Sequence, residues 1–283
     1  GLSFADIPVP VLHKAKWVLL DTLGVIAGAT TLEYGRQMVR YAQALRDHEE
    51  ATILGMGIRS SARHAAFANG CLCETLEMQD GYTRGGVHPS SGTVPAALAM
   101  AEWQGADPRA FLTAMVAGYE AANRVAEAMH PSHLARGFQP TGTAGTMGAA
   151  IAAAKLLKLD ERATAQALGI AGFIAPVSTG DNLWGGYSVK PVHGGAAARS
   201  GIEAALLAQA GLEAAPLEGD VAVGKGFCRV LSDAPQFAAI TAQLGTRYTM
   251  EDVYYKPHAT CRGNQGPVDI ALELRARHAL DHR

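Results

Sequence analysis

Residues 77–92 read EMQDGYTRGGVHPSSG, and the parsing of this stretch decides how the flanking chain folds. Ser61 to Leu76 before it is alanine-rich with helical spacing, and Val94-Pro95-Ala96-Ala97-Leu98 after it opens a second apolar helix with proline in its first turn. If the first helix continues through Glu77, that residue and Asp80 stand three positions apart and face one way. Asp80-Gly81 then breaks the period, and a glycine-rich turn returns Arg84 and His88 over the two carboxylates. Acid, base and cation are gathered in one loop whose ends are fixed by helices, a favourable setting for chemistry.

Working outward, Leu12, Ala15, Leu19, Leu23 and Ile26 recur at helical spacing within residues 8–28, and Tyr34 to Leu45 repeats the pattern. Residues 51–55 are strand-like and end on glycine. Asp107-Pro108 and Asp160 are N-cap signals for long helices running to about Met129 and Phe173. Ala196 to Ala210 and Pro267 to about Leu280 are helical, residues 216–235 lose all periodicity, and Tyr248 to Lys256 has strand character. Helices dominate, so the expected fold is mainly α: a large all-helical domain over 1–245, then the start of a smaller α+β lid domain over 246–283 that this chain does not complete.

Hydrophobic residues make up 48% of the chain and charged residues only 18%, which suits closely packed helices and a large subunit interface. A net charge of −2 gives no electrostatic basis for binding nucleic acid or an acidic membrane surface. No apolar run has the length of a membrane span. Cys71, Cys73, Cys228 and Cys261 form neither a zinc-type cluster nor a disulfide framework, so a cytoplasmic setting and no metal are expected.

Two further polar loops precede helices. One carries His130, His133, Arg136 and Gln139 ahead of Thr141-Gly142-Thr143, whose backbone amides at a helix start suit an anion. The other carries Asp181, Lys190 and His193, and a fourth cluster holds Lys256, His258 and Arg262. Each residue alone has an ordinary structural explanation: Asp80-Gly81 a turn, Lys190 a solvated lysine, the glycines of GTAGTMGAA close helix packing. Their recurrence points instead to a small polycarboxylate. Removing a proton beside a carboxylate adds charge to an anion, so cations and helix N-termini lower the barrier, while His88 or Lys190 acts as base.

The segments LEMQDGYTRGGVHPSSGTVPAALAMAE (76–102), RGFQPTGTAGTMGAAIAAAKLL (136–157), GYSVKPVHGGAAARSGIEAALLAQ (186–209) and YYKPHATCRG (254–263) together resemble the MmgE/PrpD family, which includes 2-methylcitrate dehydratase, cis-aconitate decarboxylase and iminodisuccinate epimerase. The resemblance implies an all-helical domain, an α+β lid, a cofactor-free site in the cleft between them, and a homodimer. Its acidic motif falls on Glu77 to Asp80, its loop histidine on His88, its Lys-Pro-x-His motif on Lys190 and His193, and its basic motif on Lys256, His258 and Arg262. Gln139 stands where many members have histidine, and an amide cannot shuttle protons near neutrality.

The leading expectation is a lyase of the 2-methylcitrate dehydratase type. Glu77 and Asp80 would supply the acid, and Gln139, His193, Lys256, His258, Arg262 and Arg84 the substrate contacts. A dicarboxylate epimerase and a catalytically silent, carboxylate-binding scaffold are the alternatives.

Overall fold

The computed structural model describes residues 1–280. In chain order the helices are α1 (Val9–Ala29), α2 (Glu33–Leu45), α3 (Ala62–Thr75), α4 (Pro89–Gln104), α5 (Pro108–Met129), α6 (Ser132–Ala135), α7 (Pro140–Leu156), α8 (Glu161–Ile174), α9 (Gly180–Trp184), α10 (Val192–Gln209), α11 (Phe227–Leu231), α12 (Ala238–Thr241) and α13 (Gln265–His278). Between α2 and α3 a small antiparallel hairpin pairs β1 (Ala51–Ile53) with β2 (Ile58–Ser60), Ala51 opposite Ser60. The fold is mainly α, as its composition and periodicity predict.

Helix α7 lies at the centre and packs against α4, α5, α8 and α10. All of its residues except Ile151 and Lys155 are buried, so the glycine- and alanine-rich stretch serves close packing on several sides. Helix α10 closes the bundle by lying across α3 as well. That crossing tolerates no side chain: a Cβ on Gly195 would come 2.3 Å from the Phe67 carbonyl oxygen and 2.5 Å from Cys71 Sγ. This close approach brings the first turn of α10, with His193, against the last turn of α3, with Glu74.

Local signals account for several boundaries. Asp107 caps α5 by accepting from the amides of Arg109 (2.8 Å) and Ala110 (3.0 Å), and Asp160 caps α8 by accepting from Ala163 (2.8 Å). Four expectations need correction. Helix α4 begins at Pro89, not Pro95, so His88 is its N-cap residue and Pro95 lies inside the helix. Helix α1 buries Val11, Ala15, Val18, Thr22 and Ile26, a face rotated slightly from the expected stripe, with Leu12, Leu19 and Leu23 half-buried on its flank. Residues 216–235 include the short helix α11.

The fourth concerns residues 248–256, which form a 3-10 turn (Thr249–Asp252) followed by a single bridge to Gly81 in place of a strand. The Gly81 amide donates to the Tyr254 carbonyl (3.1 Å) and the Tyr254 amide to the Gly81 carbonyl (2.9 Å). One pair of bonds cannot build a ladder, but it docks this segment beside the loop after α3. Gly81 permits it, since a Cβ there would meet the Tyr254 hydroxyl oxygen at 2.3 Å.

Candidate active site

Helix α3 stops at Thr75, before the two carboxylates that a longer helix would have aligned. Glu77 adopts φ = 55°, a left-handed backbone conformation that a residue with a side chain rarely takes. Glu77 and Asp80 therefore diverge. The Glu77 carboxylate pairs with Lys190, and Lys256 Nζ donates to the Glu77 carbonyl at 3.0 Å and lies 3.8 Å from its Oε2. Asp80 is fully buried: its Oδ1 accepts from the Ser90 amide at 3.1 Å and its Oδ2 from the Tyr119 hydroxyl at 2.8 Å. Burial, set partly against those bonds, pushes the Asp80 carboxyl up to about 6.

His88 packs back onto this loop through the Asp80 backbone. Its Nδ1 lies 2.6 Å from the Asp80 carbonyl oxygen, which only accepts, so Nδ1 carries the proton and Nε2 presents a lone pair. The His88 amide donates to Thr141 Oγ1 at 3.1 Å, which ties the loop to the start of α7. Burial first, opposed by Glu74 and reinforced by Lys256 and Lys190, lowers the imidazole to about 3, so it is neutral at physiological pH. The charges of three separate chain segments thus act on one ring.

The hub of the site is a residue that the sequence reading passed over. Glu74, fully buried in the last turn of α3, accepts from Lys190 Nζ (2.6 Å), Gln79 Nε2 (2.7 Å) and His193 Nε2 (3.0 Å) on Oε2, and from the Ser91 hydroxyl on Oε1. Burial opposes its charge, but Lys190 and His193 outweigh burial and hold the carboxyl well below its usual range. Lys190 responds in kind: burial would lower it, yet Glu74 and Glu77 raise it above its ordinary value. A signal for Glu74 was present, since a carboxylate at the C-terminal end of an apolar helix opposes the helix dipole and requires cations nearby. Lys256 is lowered, chiefly by burial.

Other expected site residues lie differently. Gln139, at the N-cap of α7, is buried with its Nε2 unpartnered, and together with Lys190 and His193 it lines a cavity of about 170 Å³. A larger cavity of about 650 Å³ adjoins it through Pro176 and Val177, but its walls are mainly apolar, among them Phe173, Leu212 and Phe227. Arg84 is exposed and reaches toward Glu127 (3.9 Å) and Asp252 (4.0 Å), not over Glu77 and Asp80 as the turn suggests. His258 bonds Asp269 at 2.7 Å, and Arg262 stacks over the Tyr254 ring at 5.1 Å. Neither belongs to the Glu74 cluster. Among the described residues no three His, Cys, Asp or Glu side chains are grouped to hold a metal ion.

The site is therefore a set of ion-paired lysines around a neutral imidazole, built from α3, the loop after it, the first turns of α4, α7 and α10, and the segment at Lys256. A sequence model described as the MmgE/PrpD N-terminal domain matches residues 1–240, and the chain belongs to that family. It is similar to the cis-aconitate decarboxylase-like protein oryM of Aspergillus oryzae, 31% identical over 299 aligned positions covering 99% of this chain and 60% of that protein. To the cis-aconitate decarboxylase of Homo sapiens it is 28% identical over 289 positions, covering 100% of this chain and 59% of that protein. The corresponding enzyme of Aspergillus terreus is 26% identical over 290 positions, 98% and 59%. The chain thus spans about 60% of the length of these relatives. Among the described residues no single helix is long and apolar enough to cross a membrane.

The buried charges make stability depend on pH with a definite sign. His88 is depressed from 6.5 to about 3, so its contribution is complete above 6.5 and is lost as pH falls toward 3. Glu74 is depressed too, and its contribution is lost as pH falls below 4.5. Asp80 and Asp21, both raised from 3.8 to about 6 chiefly by burial, act oppositely and offset the His88 loss between those values. The urea unfolding midpoint is therefore expected to hold or rise slightly between pH 6 and pH 3.8 and to fall steeply on further acidification, where His88 and Glu74 act unopposed. A midpoint that stays constant on that further acidification would contradict the burial of His88 and Glu74.

Proposed function

We propose that the protein is a cofactor-independent lyase acting on a small di- or tricarboxylic hydroxy acid, by proton abstraction next to a carboxylate and loss of water. The observation that carries this reading is His88: neutral, its Nδ1–H committed to the Asp80 carbonyl, and its Nε2 without a hydrogen-bond partner among the described residues. A substrate carboxylate at Lys256 and Lys190 would neutralise the cations that depress His88, so its basicity would rise as substrate binds. Nε2 then takes the α-proton, and the same lysines stabilise the charge developing on the carboxylate. The C–H electron pair forms the double bond, the C–O bond breaks, and the imidazolium returns the proton to the departing hydroxyl, which leaves as water.

In this reading Lys190 is a cationic clamp and not the base, because Glu74 and Glu77 keep it charged. Asp80 acts through its backbone as a positioning residue for His88, in place of the acid expected from sequence. Residues 1–245 form the helical body and 246 onward begin a lid, with a cytoplasmic homodimer completing the proposal. Relatives named cis-aconitate decarboxylase favour a lyase at the coarse level. Decarboxylation would need a proton donor for the carbanion, a role open to the Lys256 or Lys190 ammonium, so the two lyase reactions are separated by their products.

A panel of malate, 2-methylmalate, citrate and 2-methylcitrate in deuterium oxide tests the proposal. Alkene absorbance from at least one hydroxy acid is expected. Deuterium uptake at the α-carbon without alkene would instead indicate an epimerase. Carbon dioxide release from cis-aconitate with no alkene from any hydroxy acid would overturn elimination.

A further inference from the structure

The donors expected to receive substrate on the α10 side are already occupied. Lys190 donates to Glu74 and pairs with Glu77, and His193 Nε2, facing an oxygen that can only accept, spends its proton on Glu74. Glu74 is fully buried within the protein, so this carboxylate is a permanent part of the wall. The cavity of about 170 Å³ that Lys190 and His193 line is completed by Gln139, Ser178, Thr179 and Asn182, all uncharged, together with aliphatic side chains. Gln139 is more than nine-tenths buried and its Nε2 has no partner among the described residues. An unpaired amide donor seeks a neutral or anionic acceptor, but an anion here would sit close to Glu74 on a wall whose positive charge is already compensated.

We infer that this cavity takes an uncharged, hydrogen-bond-accepting arm of the substrate, and that Glu74, by filling the anion site of Lys190 and His193 from within, sets a preference for dicarboxylic over tricarboxylic acids. This rests on the proposed carboxylate site and narrows it. The remaining carboxylates pair with Lys256 and with the N–H of Lys190 that is left over, while the neutral arm faces the uncharged side chains of Gln139, Ser178, Thr179 and Asn182. Glu74 is thereby a specificity-determining residue that acts through Lys190 and His193 without touching substrate.

Calorimetric titration of the protein with tricarballylate, and with a tricarballylate monoamide in which one carboxylate is replaced by a carboxamide of the same size, tests this. Wild type is expected to bind the monoamide at least tenfold more tightly. Glu74→Gln, which keeps the volume and an acceptor for Lys190, is expected to reverse the order, with tricarballylate gaining at least tenfold. Tighter binding of tricarballylate by wild type overturns the inference, and so does an E74Q preference equal to that of wild type. If E74Q does not fold, the wild-type pair alone decides. Binding of neither ligand by either form would remove the carboxylate site itself, and the inference with it.

Discussion

Replacing His88 by asparagine is expected to lower kcat by about 10²- to 10⁴-fold, the range associated with loss of a general base. Asparagine is chosen because two structural duties of His88 survive in it. Its side-chain amide can still donate to the Asp80 carbonyl, which Nδ1 approaches at 2.6 Å, and asparagine is favourable at the N-cap position that His88 holds on α4. What is lost is the lone pair on Nε2. Thermal stability and KM should change little while α-proton exchange disappears with turnover. A fall in kcat of less than about tenfold would place the base elsewhere.

Replacing Lys190 by methionine is expected to destabilise the fold by about 3–5 kcal/mol, because it removes the principal cation from a fully buried carboxylate. The energy lies in the unpaired Glu74, not in the lysine itself. The double variant K190M/E74Q should therefore recover most of the loss, since neither buried charge then remains and Gln79 and Ser91 can still bond the amide. Urea denaturation of the four members of this cycle measures the coupling. Activity should stay lost in the stable double variant, because the clamp on the substrate carboxylate is gone. A near-neutral effect of K190M on stability would mean that the pair is solvated and that Lys190 is available to act as a base.

These two variants mark the boundary of what was legible in the sequence. Helices announced themselves through periodicity and through caps such as Asp107 and Asp160, because those signals are local. The tight α3 to α10 crossing at Gly195 was not legible, since small residues report that something packs closely but not what. The same holds for the site. His88, Lys190 and His193 stand at helix starts, where a polar residue invites a functional reading. Glu74 stands in an alanine-rich run, where its one signal is a negative charge at the C-terminal end of an apolar helix, and the partners that meet that charge are fixed only when α10 is laid across it.

Long-range docking explains the remaining differences. Their spacing puts Glu77 and Asp80 on one face of a helix, but α3 ends at Thr75 and the left-handed turn at Glu77 separates them. Arg84 and His258 carry charge near the right stretches of chain, yet their nearest opposite charges, Glu127, Asp252 and Asp269, are set by tertiary contacts that spacing does not encode. Tyr248 to Lys256 has the residue types of a strand and, among the described residues, no neighbouring strand to pair with. Its single bridge at Gly81 is nonetheless enough to place Lys256 beside Glu77.

The most direct test is a crystal structure of the protein with a small dicarboxylate bound. One carboxylate is expected within hydrogen-bond distance of both Lys256 Nζ and Lys190 Nζ, with the carbon beside it about 3–3.5 Å from His88 Nε2, as a near-attack geometry requires. A ligand held away from both lysines, or a His88 Nε2 bonded to a protein group and turned from the ligand, would contradict the assignment of His88 as the group that takes the proton.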